Sequence, residues 1–176
     1  MNETPMDEQQ LMSYVRHQAL KPASDLLVLV DRGSDYVDGL LEHVSDSQAR
    51  ICPEPGEWCI CEVLLHLISA THGTARLVES LSAGVKPDVK LTQPSVKMGS
   101  ETLAELRQGL AESFEQMRSV VRALPEGAGP SVTLLHPLHG ELTAKEWAVL
   151  GYLHVRDHAD QIEKVKVAPR LSSPER

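Results

Sequence analysis

His154 and His158 stand four residues apart in the stretch Tyr152-Leu-His-Val-Arg-Asp-His-Ala-Asp-Gln-Ile162, a spacing that aims both imidazoles from one face of a helix. His66 lies upstream in Trp58-Cys-Ile-Cys-Glu-Val-Leu-Leu-His-Leu67, on a second expected helix behind the turn Pro53-Glu-Pro-Gly56. Three neutral imidazole nitrogens from two helices would hold a divalent ion and leave a coordination position open. Such a donor set suits zinc, nickel, copper or iron better than calcium or magnesium, which prefer oxygen. The ion would acidify a bound water, to a pKa of about 7 in the best-known zinc case, and so supply a hydroxide nucleophile, or a thiolate if a thiol takes the open position. Val155 stands where an HExxH motif places its glutamate, so a zincin-type protease is not supported.

Spacing is weak evidence by itself, because eight histidines among 176 residues place one pair at i, i+4 by chance roughly one time in three. The face adds weight. Leu150, Gly151, His154, His158, Gln161 and Val165 share one side, while Arg156, Asp160, Glu163 and Lys164 can take the outside. Gly151, one turn before His154, leaves room for a ligand or a neighbouring helix. His66 is flanked by Leu65, Leu67 and Ile68 and shares its face with Glu62, Ser69 and Gly73. Buried imidazoles cost desolvation energy unless each nitrogen finds a partner. An ion provides one, and so does a hydrogen bond in the core; spacing and facing leave both open.

The elements that must position these residues read as helices. Leu26, Leu29 or Val30, Tyr36 or Val37, Leu40, Leu41 and Val44 recur at helical spacing, with Ser24 available as a cap behind Pro22. Gly33 and Gly39 weaken that helix by about 1 kcal/mol each relative to Ala. A shorter helix is expected over about Glu8 to Leu20. The next long one runs from Trp58 to about Leu81, ended by Gly84 and Pro87. Leu103, Leu106, Leu110, Ser113 beside Phe114, Met117, Val120 and Leu124 form a core seam on a third, with Ser100 as its cap and Pro125 and Gly127 as its stop. Thr143-Ala-Lys-Glu146 is a capping box, and Leu142 with Trp147 the matching hydrophobic staple. The fourth helix therefore begins at Ala144 and runs to about Val165. The fold class is all-α, a single-domain four-helix bundle over residues 1–176 with flexible ends at 1–7 and 168–176. Its connections exceed those of an up-and-down bundle, so at least one crosses an end.

Composition narrows the function classes. Aromatics make up only 3 % of the chain, against 41 % apolar residues, so the core must be Leu, Val, Ala and Ile, as in a helical bundle. A net charge of −8 with histidines neutral argues against a surface for phosphate backbones, and no nucleic-acid partner is expected. The longest apolar runs, Leu26 to Val30 and Trp147 to Leu153, fall short of the roughly 20 residues that span a bilayer. Residues 1–20 hold Glu3, Asp7 and Glu8 and no apolar signal core, so the expected location is cytoplasmic. Cys52, Cys59 and Cys61 match neither a CxxC motif nor a zinc ribbon and read as small side chains, buried or half-buried near a helix start.

These residues carry a resemblance. Trp58, Glu62, Val63, Leu64, His66 and Leu67 are similar to the W-x(3)-E-V-L-x-H-L pattern that opens the second helix of the DinB/YfiT-like metalloenzymes. Thr143 to Glu146, followed by His154-x3-His158-x2-Gln-Ile162, resembles the fourth-helix signature of that superfamily. The resemblance implies a four-helix bundle with a metal site near one end, frequently a homodimer, in which His66, His154 and His158 are the ligands. Members have been associated with zinc, nickel and other divalent ions. Relatives include transferases and isomerases using thiols such as bacillithiol, mycothiol or glutathione, as well as hydrolases and dehydratases. For this chain the implied function is a metal-dependent hydrolase or thiol-dependent transferase acting on a small molecule. The competing reading is a non-catalytic bundle that dimerises or binds a partner protein, with or without a structural metal.

Helper residues follow with alternatives attached. Gln161 is placed to bond a ligand imidazole or a metal-bound water, or is a polar residue at the bundle end. Glu62, one turn before His66, is either a hydrogen-bond acceptor or general base for the site, or a helix-start glutamate favoured by the macrodipole. His136 and His139, in Leu135-His-Pro-Leu-His-Gly140, either reach the pocket mouth or belong to a turn. His72 points about 120° away from His66 on an ideal helix, and His17 and His43 fall outside the motifs.

Overall fold

The computed structural model describes residues 7–89, 96, 99–127 and 131–167. It contains α1 (Glu8–Ala19), α2 (Ala23–Leu40), α3 (Asp46–Ala49), α4 (Ile60–Ser82), α5 (Leu103–Arg122), β1 (Leu134–His136), β2 (Gly140–Leu142) and α6 (Ala144–Val167). The four long helices expected from periodicity are α2, α4, α5 and α6. Apart from Asp7, the expected flexible ends 1–7 and 168–176 lie outside the described residues. Among the described residues, no helix is long and apolar enough to cross a membrane.

Helix starts follow side-chain chemistry. At α6 the box forms as expected: Thr143 Oγ1 accepts from the Glu146 amide at 3.4 Å, and Glu146 Oε2 accepts from the Thr143 amide at 2.8 Å. The staple residues Leu142 and Trp147 are both buried. Two expected caps are displaced. Ser24 falls inside α2, whose N-cap is Pro22; the Pro22 carbonyl takes the first helical bonds, from Asp25 and Leu26. At α5 the cap is Thr102, not Ser100, because Thr102 and Glu105 make a reciprocal box at 3.2 and 2.7 Å immediately before the first buried residue, Leu103. Two small elements carry no strong sequence pattern and were not expected. One is the four-residue α3; the other is the β1–β2 hairpin, registered Leu134↔Leu142, Leu135↔Glu141 and His136↔Gly140. Gly140 closes that hairpin with φ +78°, a left-handed conformation that suits glycine.

The extensive helix contacts are α4 with α5, α4 with α6, α2 with α6, and α2 with α5. This order leaves α2 diagonal to α4 and α5 diagonal to α6. Cross-helix pairs give the directions. Tyr36 Oη donates to Asp160 at 3.0 Å, and Lys166 Nζ donates to the Leu40 carbonyl, so α2 and α6 run parallel. Arg118 pairs with Asp31 and Arg107 with Asp38, so α2 and α5 are antiparallel. Gly109 lies against Ile68, and His72 bonds to Gln116, so α4 and α5 are parallel. The connections 41–59 and 123–143 therefore cross diagonally at opposite ends. The end of α4 and the start of α5 lie at opposite ends of the bundle, about 35 Å apart at 1.5 Å per residue. This accounts for the length of the loops.

The core is aliphatic, as the composition required. Val15, Val37, Leu41, Ile60, Val63, Leu64, Leu67, Val78, Leu81 and Ile162 are all buried, and the α5 seam buries Leu103, Leu106, Leu110, Ser113, Phe114, Met117 and Val120. At Gly151 the backbone of α6 passes close to α4: a Cβ there would stand 2.9 Å from Thr74 Cγ2. The room at Gly151 is thus taken by a neighbouring helix. Thr74 is β-branched, so few rotamers are open to it on a helix and moving its methyl carries a cost. Gly73 has nothing within 4 Å of a would-be Cβ. Gly151→Ala should therefore destabilise the fold by about 1–3 kcal/mol through overpacking. Gly73→Ala should stabilise it by about 0.5–1 kcal/mol through helix propensity. Urea unfolding midpoints that shift in the same direction for both variants would contradict the close α4–α6 approach.

Candidate metal centre

The Thr143 box fixes where α6 begins and hence its phase, which puts His154 and His158 one turn apart toward α4. The antiparallel α4 brings His66 up to them two turns from its own start. His66 is 7 % exposed, and its Nε2 lies 2.8 Å from His154 Nε2. The ring centroids of His66 and His154 are 5.0 Å apart, those of His66 and His158 4.5 Å, and those of His154 and His158 4.5 Å. One nitrogen from each of the three lies within 4.8 Å of the others. Ligands held about 2.0–2.1 Å from one zinc stand about 3–4 Å apart, so the His66–His154 pair at 2.8 Å would open slightly to take one.

Burial sets the protonation. It pushes His66 down from 6.5 to about 4, with the nearby His158 a smaller cause. His154 is also lowered to about 4, again first by burial and then by His158 and His66. Both rings are therefore neutral at pH 7, the form that offers a lone pair to an ion. His158 Nδ1 lies 2.8 Å from Gln161 Oε1. A carboxamide oxygen only accepts, so this bond selects the His158 tautomer with its proton on Nδ1 and its lone pair on Nε2. His66 Nδ1 is buried with no hydrogen-bond partner, an orphaned donor or acceptor of the kind buried sites seldom tolerate. The donor set fits a borderline divalent cation and is wrong for calcium or magnesium.

Glu62 sits elsewhere than beside His66: its Oε2 accepts from the Cys59 amide at 3.0 Å and lies 3.9 Å from Cys52 Sγ. The reason is local, since Glu62 is the third residue of α4 and reaches back to the open helix start. His136 and His139 stack on each other at 4.6 Å, and His136 packs on Trp147 at 5.2 Å. They belong to the hairpin at the N-terminal end of α6, about 15 Å along the axis from His154 at 1.5 Å per residue. His72 bonds to Gln116. A residue whose role the sequence did not disclose is Trp58. Its ring lies 5.2 Å from that of His66 and stacks over that of His158 at 6.1 Å. Its position eight residues before His66 was the available signal, since the chain there has not yet entered the helix and can fold back.

Beside His154 a cavity enters the bundle, lined by Val30, Thr71, Phe114, Met117 and Tyr152 among others. The hydroxyl of Thr71 is buried in the bundle without a partner.

A mostly helical bundle with three converging imidazoles is thereby defined. A family model described as the DinB superfamily matches residues 29–162, and the chain belongs to that superfamily. Searches of curated proteins and of solved structures find no match to the chain.

The neutral imidazoles make stability pH-dependent. His66 and His154 titrate near 4 in the folded chain but near 6.5 when unfolded. Below pH 6.5 the unfolded chain binds more protons, so stability is full above that pH and is lost as pH falls toward 4. Each histidine contributes up to about 3 kcal/mol. Urea unfolding of chelator-stripped protein from about pH 7 to about pH 4.5 should show this loss, and His154→Leu should remove about half of it. An unchanged slope in that variant would mean that His154 is protonated in the fold.

Proposed function

We propose that the chain is a divalent-metal-dependent enzyme acting on a small molecule, either as a hydrolase or as a transferase using a low-molecular-weight thiol. His66, His154 and His158 are the metal ligands in this reading. The observation that carries it is the convergence of three ring nitrogens within 4.8 Å from two helices. When bound, zinc or nickel supplies Lewis acidity and lowers the pKa of a coordinated water or thiol. The chain's own residues prepare that chemistry. Burial keeps His66 and His154 neutral, Gln161 holds His158 in the tautomer that presents Nε2, and Trp58 shields two of the rings. The cavity beside His154 is about 20 Å³ and lined by uncharged residues, room for a water rather than a substrate. The rival reading, a non-catalytic bundle, draws on the 2.8 Å contact between His66 Nε2 and His154 Nε2, which two neutral imidazoles can share through one N–H.

Elemental analysis of protein purified without an affinity tag tests the ligand set, and activity assays then separate the two readings. The wild type is expected to hold about one equivalent of zinc or nickel in this centre, and a His154→Ala, His158→Ala double variant none. Gln161→Leu is expected to weaken binding by about 10–100-fold, because the tautomer is no longer fixed. Hydrolysis of activated esters and thiol transfer would then be assayed with that metal loaded. Folded wild type whose affinity for zinc or nickel equals that of the double variant would overturn the reading.

A further inference from the structure

A second group of ligating atoms lies at the start of α4 and shares no residue with the three histidines. Cys52 Sγ, Cys59 Sγ and a Glu62 carboxylate oxygen all lie within 4.8 Å of one another. In sequence the two cysteines are too far apart for a common zinc motif. The chain closes the gap through Pro53-Glu-Pro-Gly56, where Gly56 takes φ +88° and turns the backbone so that Cys59 comes back beside Cys52. Glu62 then contributes its carboxylate from the first turn of the helix. Cys52 is half-buried and Cys59 buried, so the group lies at the edge of the core and is reached from one side.

We propose that Cys52, Cys59 and Glu62 form a second cation site, selective for thiophilic ions such as zinc, cadmium or copper(I). Two sulfurs and one oxygen exclude calcium and magnesium and prefer softer ions than the three imidazoles do. Two thiolates and a carboxylate total −3, leaving −1 around a divalent ion, and that residual charge sits at the positive end of the 23-residue α4. The Cys59 amide, 3.0 Å from Glu62 Oε2, already orients the carboxylate. Binding is an exchange: the ion takes the sulfur lone pairs and both thiol protons leave to solvent, with no change in oxidation state. Such an ion would clip the segment 53–58 to α4 and fix Trp58 over His66 and His158.

Cobalt(II) titration of the full-length protein tests this, with thiols kept reduced by a phosphine and counted by alkylation. Thiolate-to-cobalt charge transfer gives an intense near-ultraviolet band that imidazole ligands do not produce. The expected result is a band saturating at about one equivalent of thiolate-bound cobalt, abolished by zinc, and about two protons released per ion at that site. Cys52→Ser should remove the band, whereas Cys61→Ala and the His154→Ala, His158→Ala double variant should keep it. Far-ultraviolet circular dichroism monitors the fold of each. Fully reduced wild type that shows neither the band nor the proton release would overturn the proposal, leaving a hydrogen-bonded helix cap. A band that survives in folded Cys52→Ser would overturn it too, because the thiolates would then lie elsewhere.

Discussion

Burying imidazoles in an aliphatic bundle is the constraint on which the rest of this structure turns. Leu, Val and Ala offer no hydrogen bonds, so each ring nitrogen brought inside must be answered by another ring, by Gln161, or by an ion. The answers are unequal. His158 has Gln161 and His154 has His66, while His66 Nδ1 has no partner. Burial keeps His66 and His154 neutral, at the cost of stability in acid.

The bundle meets this constraint by topology. Because α2 and α4 are diagonal, and α5 and α6 likewise, the histidine-bearing helices α4 and α6 are neighbours without being consecutive in the chain. They meet antiparallel, so the early part of α4 faces the later part of α6. His66 and the pair His154 and His158 therefore meet although 88 residues separate His66 from His154. The long connections are the consequence, since neighbouring antiparallel helices joined directly would need only short loops.

Much of the fold was legible in the sequence because it rests on local rules. The α5 seam, the Thr143 box and the extent of α6 follow from periodicity and capping. What failed locally failed where two caps competed: Ser100 lost to Thr102, which alone has a glutamate three residues on, and Ser24 lost to a proline whose carbonyl opens the helix. The hairpin and α3 were illegible, being too short to show a period. Within the site, the convergence of His66, His154 and His158 could be anticipated from faces and a family pattern. Glu62 was legible as a helix-start residue, and its carboxylate does turn back to the Cys59 amide at the open end of α4. The placement of Trp58 and the meeting of Cys52 with Cys59 depend on the path of one irregular loop, which no period encodes.

The close passage of Gly151 past Thr74 makes the histidine cluster the end of a lever. Thr74 lies eight residues beyond His66 on α4, about 12 Å along the axis. A tilt of about 3° about that contact moves the His66 end by about 0.6 Å, whereas the contact itself hardly moves. Differences of a few tenths of an ångström in ligand distance separate one ion from another. A glycine one turn before His154 is thus a mechanical determinant of the spacing of the imidazoles.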